Sequence, residues 1–145
     1  MKKFFFGMAL VLSVMMVMSC VSLNTQEAVD SAFAKIYDRY YDSLILDGAA
    51  HYTVVSGDTL SHIAQTHYHN EFHFPLIMLA SNEIVKDPDQ IRPGMRLTIP
   101  DLQRNLNNAD TKAKLRLYYV DISRLYDKRD RPEAAKSLRN LAATM

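Results

Sequence analysis

With Cys20 as the single cysteine among 145 residues, no disulfide can form within the chain, and the fold must be held by packing and hydrogen bonds. No basic run occurs after Lys2 and Lys3. Removing those two from the 17 basic residues leaves 15 against 16 acidic ones, a formal charge of −1. Without a concentrated basic surface to displace counterions from phosphates, a nucleic-acid partner is excluded. The sequence also has no metalloprotease His-Glu motif, no phosphate-cradling glycine loop and no glycine-flanked serine, so the common starting points for hydrolysis and phosphoryl transfer are missing. No repeat recurs at the period of a helical solenoid. The uncharged run from Phe4 to Met18 is shorter than the roughly 20 apolar residues that span a bilayer comfortably.

What stands at the start is a charged pair, Lys2-Lys3, then that apolar run, then Ser19-Cys20, the three regions of an export signal. Residues 1–19 are therefore expected to be a removable signal peptide. Val17-Met18-Ser19-Cys20 resembles the lipobox of bacterial lipoproteins. The resemblance implies cleavage before Cys20 and lipidation of that cysteine with palmitate-type chains, and acyl burial contributes about 0.8 kcal/mol per methylene. The expected address is the cell envelope, lipid-anchored and facing the periplasm. Val21, where an aspartate would favour inner-membrane retention, makes the outer membrane the preferred leaflet.

After the signal, three segments follow, each with its own periodicity. Residues 20–50 read as a tether and an amphipathic helix over Glu27 to Leu46, with Val29, Phe33, Ile36, Tyr37, Tyr40 and Leu44 on one face and Asp47-Gly48 as its stop. Residues 51–101 change character. His51 to Val55 is β-rich, Gly57-Asp58 is a turn, and Thr59-Leu60 opens a helix. A second helix is predicted near Pro75, burying Leu76, Ile77, Leu79 and Ala80, and Met95 to Ile99 alternates as a half-buried strand. Residues 102–145 are predicted to carry a helical hairpin from Thr111 to Met145, broken at Arg129-Asp130-Arg131 and restarted by Pro132-Glu133. Tyr118, Tyr119 and Tyr126 are read as core packing, with the first helix packed on the hairpin. The fold class expected is α+β.

The middle segment resembles the LysM family. The resemblance is carried by Tyr52-Thr53-Val54, Gly57-Asp58-Thr59-Leu60, Ile63-Ala64, Asp87-Pro88-Asp89-Gln90-Ile91 and Pro93-Gly94-Met95-Arg96-Leu97-Thr98-Ile99-Pro100, in order and at family spacing. It implies a strand-helix-helix-strand module that binds N-acetylglucosamine polymers such as peptidoglycan and chitin in a shallow groove between two loops. One wall would be Gly57, Asp58, Thr59 and Leu60; the other would draw on Ile84, Val85, Lys86, Asp87, Pro88 and Ile91. Between Ala64 and the second helix the chain is longer than in short modules, with Tyr68, His69, Asn70, Phe72 and Phe74, as in some Gram-negative envelope proteins. Ser81 stands where the family often has an asparagine, with Asn82 beside it.

His62, His67, His69 and His73 lie close together, but His62 and His67 are five apart, off the register that places two ligands on one helical face, so no metal site is expected. Asp87 and Asp89 sit in a proline-bearing loop where capping is the commoner role for carboxylates. The resulting expectation is a non-enzymatic binding protein without cofactor or metal, whose partners are a peptidoglycan-type glycan, the membrane through its lipid, and an envelope protein docked on the helices if the module serves only as a scaffold. The third alternative is an accessory to an envelope hydrolase or a small ion-responsive protein.

Overall fold

The computed structural model describes residues 25–145; the signal-like segment and the lipidation position Cys20 lie outside the described residues. The chain divides into two units, residues 1–31 and 32–145. Of the first, residues 25–31 are helical, with the Gln26 amide donating to Asp30 at 2.7 Å. Among the described residues no helix is long and apolar enough to cross a membrane.

The helix continues to residue 40, and this element, 25–40, is α1. In the second unit its Phe33, Ile36, Tyr37 and Tyr40 are buried, the spacing of one helical stripe. The predicted extension to Leu46 does not occur. After a single 3₁₀ turn at Tyr41–Ser43 the backbone becomes extended at Leu44. The cause is distant in sequence: the Asn105 side chain accepts from the Ile45 N–H at 2.9 Å and donates to the Ile45 carbonyl at 2.9 Å, and Thr111 Oγ1 donates to the Ser43 carbonyl at 3.0 Å. Those bonds offer the backbone an alternative to another helical turn.

Strands β1 (Ala50–Thr53) and β2 (Arg96–Ile99) form a two-stranded antiparallel sheet with Tyr52 opposite Leu97 and Ala50 opposite Ile99. Pairing runs on past the strand ends through Val54 N–H to Met95 O at 2.9 Å and Gly94 N–H to Val54 O at 2.8 Å. Gly94 sits at φ +91°, a conformation that side-chain-bearing residues rarely adopt, so the tight return into β2 requires glycine. Leu97 and Ile99 point inward, as the alternation in sequence predicts.

Helices α2 (Leu60–Tyr68) and α3 (Phe74–Ala80) lie between the strands, separated by a 3₁₀ turn at Glu71–His73. α2 stops because His69 takes a left-handed conformation at φ 59° and its N–H closes on Gln65 O. All seven residues of α3 are buried, Met78 included. A helix that is apolar on every side must be covered on every side. Part of that cover is α5, whose Tyr118 hydroxyl donates to the Pro75 carbonyl at 2.9 Å.

The tail holds three helices: α4 (Leu102–Asn107), α5 (Ala109–Lys128) and α6 (Pro132–Thr144). α4 is absent from the sequence reading. Asp101 caps it by accepting from the Arg104 N–H, and Asn108 caps α5 by accepting from the Thr111 N–H, both at 3.0 Å. α5 and α6 form the expected hairpin, with Tyr118, Tyr119, Ile122 and Leu138 fully buried. Residues 32–40 of α1 pack on it, as expected from the sequence: the Tyr40 and Tyr118 rings meet edge-on at 5.6 Å, and the Tyr40 hydroxyl donates to Asp121 at 2.8 Å.

Candidate functional site

The turn after β1 is built by its own side chains. The Asp58 carboxylate accepts from the Val55 N–H at 2.9 Å and from the Tyr52 hydroxyl at 2.8 Å. Both bonds favour the ionised form and hold Asp58 below the usual carboxylate range, the backbone bond most strongly. Gly57 at φ +91° provides the left-handed residue the turn needs. Thr59 is the cap of α2, accepting from the His62 N–H at 3.1 Å. Asp58 therefore shapes the loop through its Oδ2.

The second loop begins at the end of α3. Ser81 Oγ accepts from the Thr98 N–H at 2.9 Å, tying the helix end to β2, and the Val85 N–H closes on Ser81 O at 2.8 Å. Ser81 is only 5% exposed. Further along, Asp87 Oδ1 caps the turn at Pro88–Gln90 by accepting from the Asp89 N–H at 3.0 Å.

Between the two loops lies a cleft of about 180 Å³, lined by Thr59, Leu60, Ser61, Phe72, Phe74, Pro88, Asp89, Tyr126, Arg131 and Ala134. Thr59, Leu60 and Pro88 are the sequence-predicted residues that meet there. Gly57, Asp58, Ile84, Val85, Lys86, Asp87 and Ile91 lie off it. Val85 at 1% and Asp87 at 3% exposure have no surface to offer a ligand, because one closes the apolar core and the other is an internal ion-pair partner. Ile84, 43% exposed, and Lys86, whose ammonium donates to Asn82 O at 2.9 Å, face outward. Phe72 lines the cleft, so the aromatic insertion noted in the sequence forms part of its wall.

The hairpin holds the second loop through paired charges. Arg129 spans both Asp87 oxygens at 3.0 and 3.2 Å and reaches Asp89 at 2.8 Å. Arg131 takes Asp89 bidentately at 3.0 and 2.8 Å, and this pairing raises its pKa. The Arg129 guanidinium also lies 5.5 Å over the Phe33 ring. Sequence reasoning treated Arg129-Asp130-Arg131 as a helix break alone. The one available signal was that Asp87/Asp89 and Arg129/Arg131 share a two-residue spacing of opposite sign.

The four neighbouring histidines take separate positions. His62 and His67 are exposed, His67 meeting the Tyr52 ring edge-on at 5.8 Å, and His69 is the left-handed residue ending α2. His73 is 6% exposed, with Nδ1 3.0 Å from the Tyr119 hydroxyl. Burial pushes its imidazole from 6.5 down to about 4. As pH falls through 6.5 the unfolded chain takes up this proton and the folded chain does not until about 4, so stability is lost across that window. Between pH 7 and pH 5 the loss due to His73 is expected to be about 2 kcal/mol. Urea unfolding of the wild type and His73→Gln at both pH values checks it: parallel pH dependence in the two proteins would refute the assignment.

Residues 52–100 match the family model of the LysM domain, whose members bind N-acetylglucosamine-containing glycans. A 71-residue stretch is 37% identical to the Potassium binding protein Kbp of Escherichia coli O6:H1 (strain CFT073), covering 49% of this chain and 48% of that protein. The chain thus spans about half the length of this curated relative. No solved structure matches it.

Proposed function

We propose that the LysM domain over residues 52–100 binds an N-acetylglucosamine-containing glycan of the cell wall, peptidoglycan foremost, without transforming it. The observation that carries this reading is the cleft of about 180 Å³ between the Thr59 loop and the Pro88 loop. Phe72, half-buried and backed by the buried Phe74, offers apolar surface to a sugar ring or an acetamido methyl, while Ser61, Asp89 and Arg131 border it with polar groups. Glycoside hydrolysis would need one carboxyl group that keeps its proton. Asp87 and Asp89 are instead engaged by the guanidinium groups of Arg129 and Arg131, which leaves neither placed as a free acid beside a sugar, so binding without catalysis is the better fit.

The anchor completes the proposal: acyl chains on Cys20 hold the protein at the periplasmic face of an envelope membrane, with the outer membrane preferred. A cleft this small gives weak affinity for a single sugar, and tethering many copies beside the wall raises effective concentration. Mass spectrometry of the mature amino terminus tests the anchor, and a protein still beginning at unmodified Met1 would remove it.

For the glycan, the whole chain is expected to co-sediment with insoluble peptidoglycan, and Ser61→Tyr, which fills the cleft from a half-buried position, is expected to abolish this with little change in melting temperature. Undiminished sedimentation of Ser61→Tyr would transfer the binding to the helices and favour an adaptor role. A second reading follows from the name of the Escherichia coli relative: potassium binding. A melting temperature that rises in potassium chloride but not in sodium chloride at equal ionic strength would support it.

A further inference from the structure

We infer that the α5–α6 hairpin, which lies outside the LysM match, supplies a third wall of the glycan cleft, and that this wall makes the site select one terminal sugar residue instead of the middle of a strand; the inference rests on the glycan reading above. Tyr126, Arg131 and Ala134 line the cleft together with the two loops and the two phenylalanines. A groove open at both ends would let a glycan run through it. Here one side is built up by a helix start, and the ion pairs from Arg129 and Arg131 to Asp87 and Asp89 hold that side to the loop it faces. The partly open space, about 180 Å³, is below the roughly 300 to 1,000 Å³ of ordinary small-molecule sites and suits a single ring with its acetamido group.

A second, independent observation points to a ligand. Tyr126 is only 5% exposed and lines the cleft, yet among the described residues no hydrogen bond engages its hydroxyl. Buried phenols ordinarily find a partner. The hydroxyls of Tyr40, Tyr52, Tyr68, Tyr118 and Tyr119 all have one, at 2.8 to 3.0 Å. Asp89 has both oxygens engaged by arginines, and Thr59 Oγ1 is taken by the helix cap. Besides the half-buried Ser61 hydroxyl, the Tyr126 hydroxyl is therefore the cleft-lining group left to exchange a hydrogen bond with a sugar hydroxyl or acetamido group, and it is the buried one of the two.

Calorimetric titration of the whole chain with N-acetylglucosamine and its short and long soluble oligomers tests this. The expected result is an affinity per molecule that stays level with oligomer length, since each molecule offers one matching end. Tyr126→Phe should weaken binding about fivefold, the scale of one neutral hydrogen bond, with its melting temperature held, because no protein partner is lost. Ala134→Trp should weaken it at least about tenfold by occupying the space. An affinity that climbs steadily with oligomer length would overturn end selection. Wild-type affinity in both variants would overturn the third wall. In either case retained binding to peptidoglycan would leave the glycan reading standing, whereas a wild type that binds neither oligomer nor peptidoglycan takes both down.

Discussion

Replacing Arg129 by alanine is expected to lower the unfolding free energy by about 3 kcal/mol. The side chain is 20% exposed and its main partner, Asp87, only 3%. A carboxylate at that depth has few waters to replace a lost guanidinium, so the cost is that of a buried charge deprived of its bidentate arginine, which exceeds the value of the pair itself. The Asp89 N–H still donates to Asp87, and Arg131 still holds Asp89, which keeps the figure at the lower end of the range for broken buried pairs. Arg129→Lys should recover only part, since one ammonium cannot span both Asp87 oxygens as the guanidinium does at 3.0 and 3.2 Å. Adding Asp87→Asn to Arg129→Ala should restore stability by removing the stranded charge. Urea unfolding measures all three. A loss in Arg129→Ala below about 1 kcal/mol would mean that the pair behaves as an exposed one.

Ile77→Ala is expected to cost about 3 kcal/mol, within the range for deleting a large aliphatic side chain from a closed core. Ile77 is fully buried in a helix whose seven residues are all buried, so no face of α3 is free to move into the void. Alanine's better helix propensity offsets only about half a kcal/mol. Leu117→Ala on α5 provides the contrast: that side chain is 60% exposed, and its removal should change stability by less than about 0.5 kcal/mol. Similar losses for the two variants in chemical denaturation would contradict the placement of α3 as the packed centre.

Much of this was legible in residues close to one another in the chain. Gly57-Asp58-Thr59 reads as turn and cap because its bonds reach no further than Tyr52 and His62, and Pro93-Gly94 reads as the return into β2 because a positive φ is a property of one residue. The order of two strands and two helices follows from periodicity, and the hairpin from the polar break at Arg129-Asp130-Arg131. The end of α1 was not legible, because it is decided by Asn105 and Thr111, more than fifty residues away. For the same reason the lining of the cleft differs from the loop residues that the sequence suggests. Val85 and Asp87 belong to the right loop but face inward, while Tyr126, Arg131 and Ala134 enter from a helix pair that the family pattern does not contain.

Local chemistry in the chain thus settles where most strands, helices and turns begin, α4 excepted, and marks the module and its two loops. Which side chains of those loops face a ligand, and what closes the cleft between them, depends on the folded packing. Burial and ion pairing are pairwise properties of distant residues, and a linear pattern carries the sign and spacing of the charges but not the distance between them.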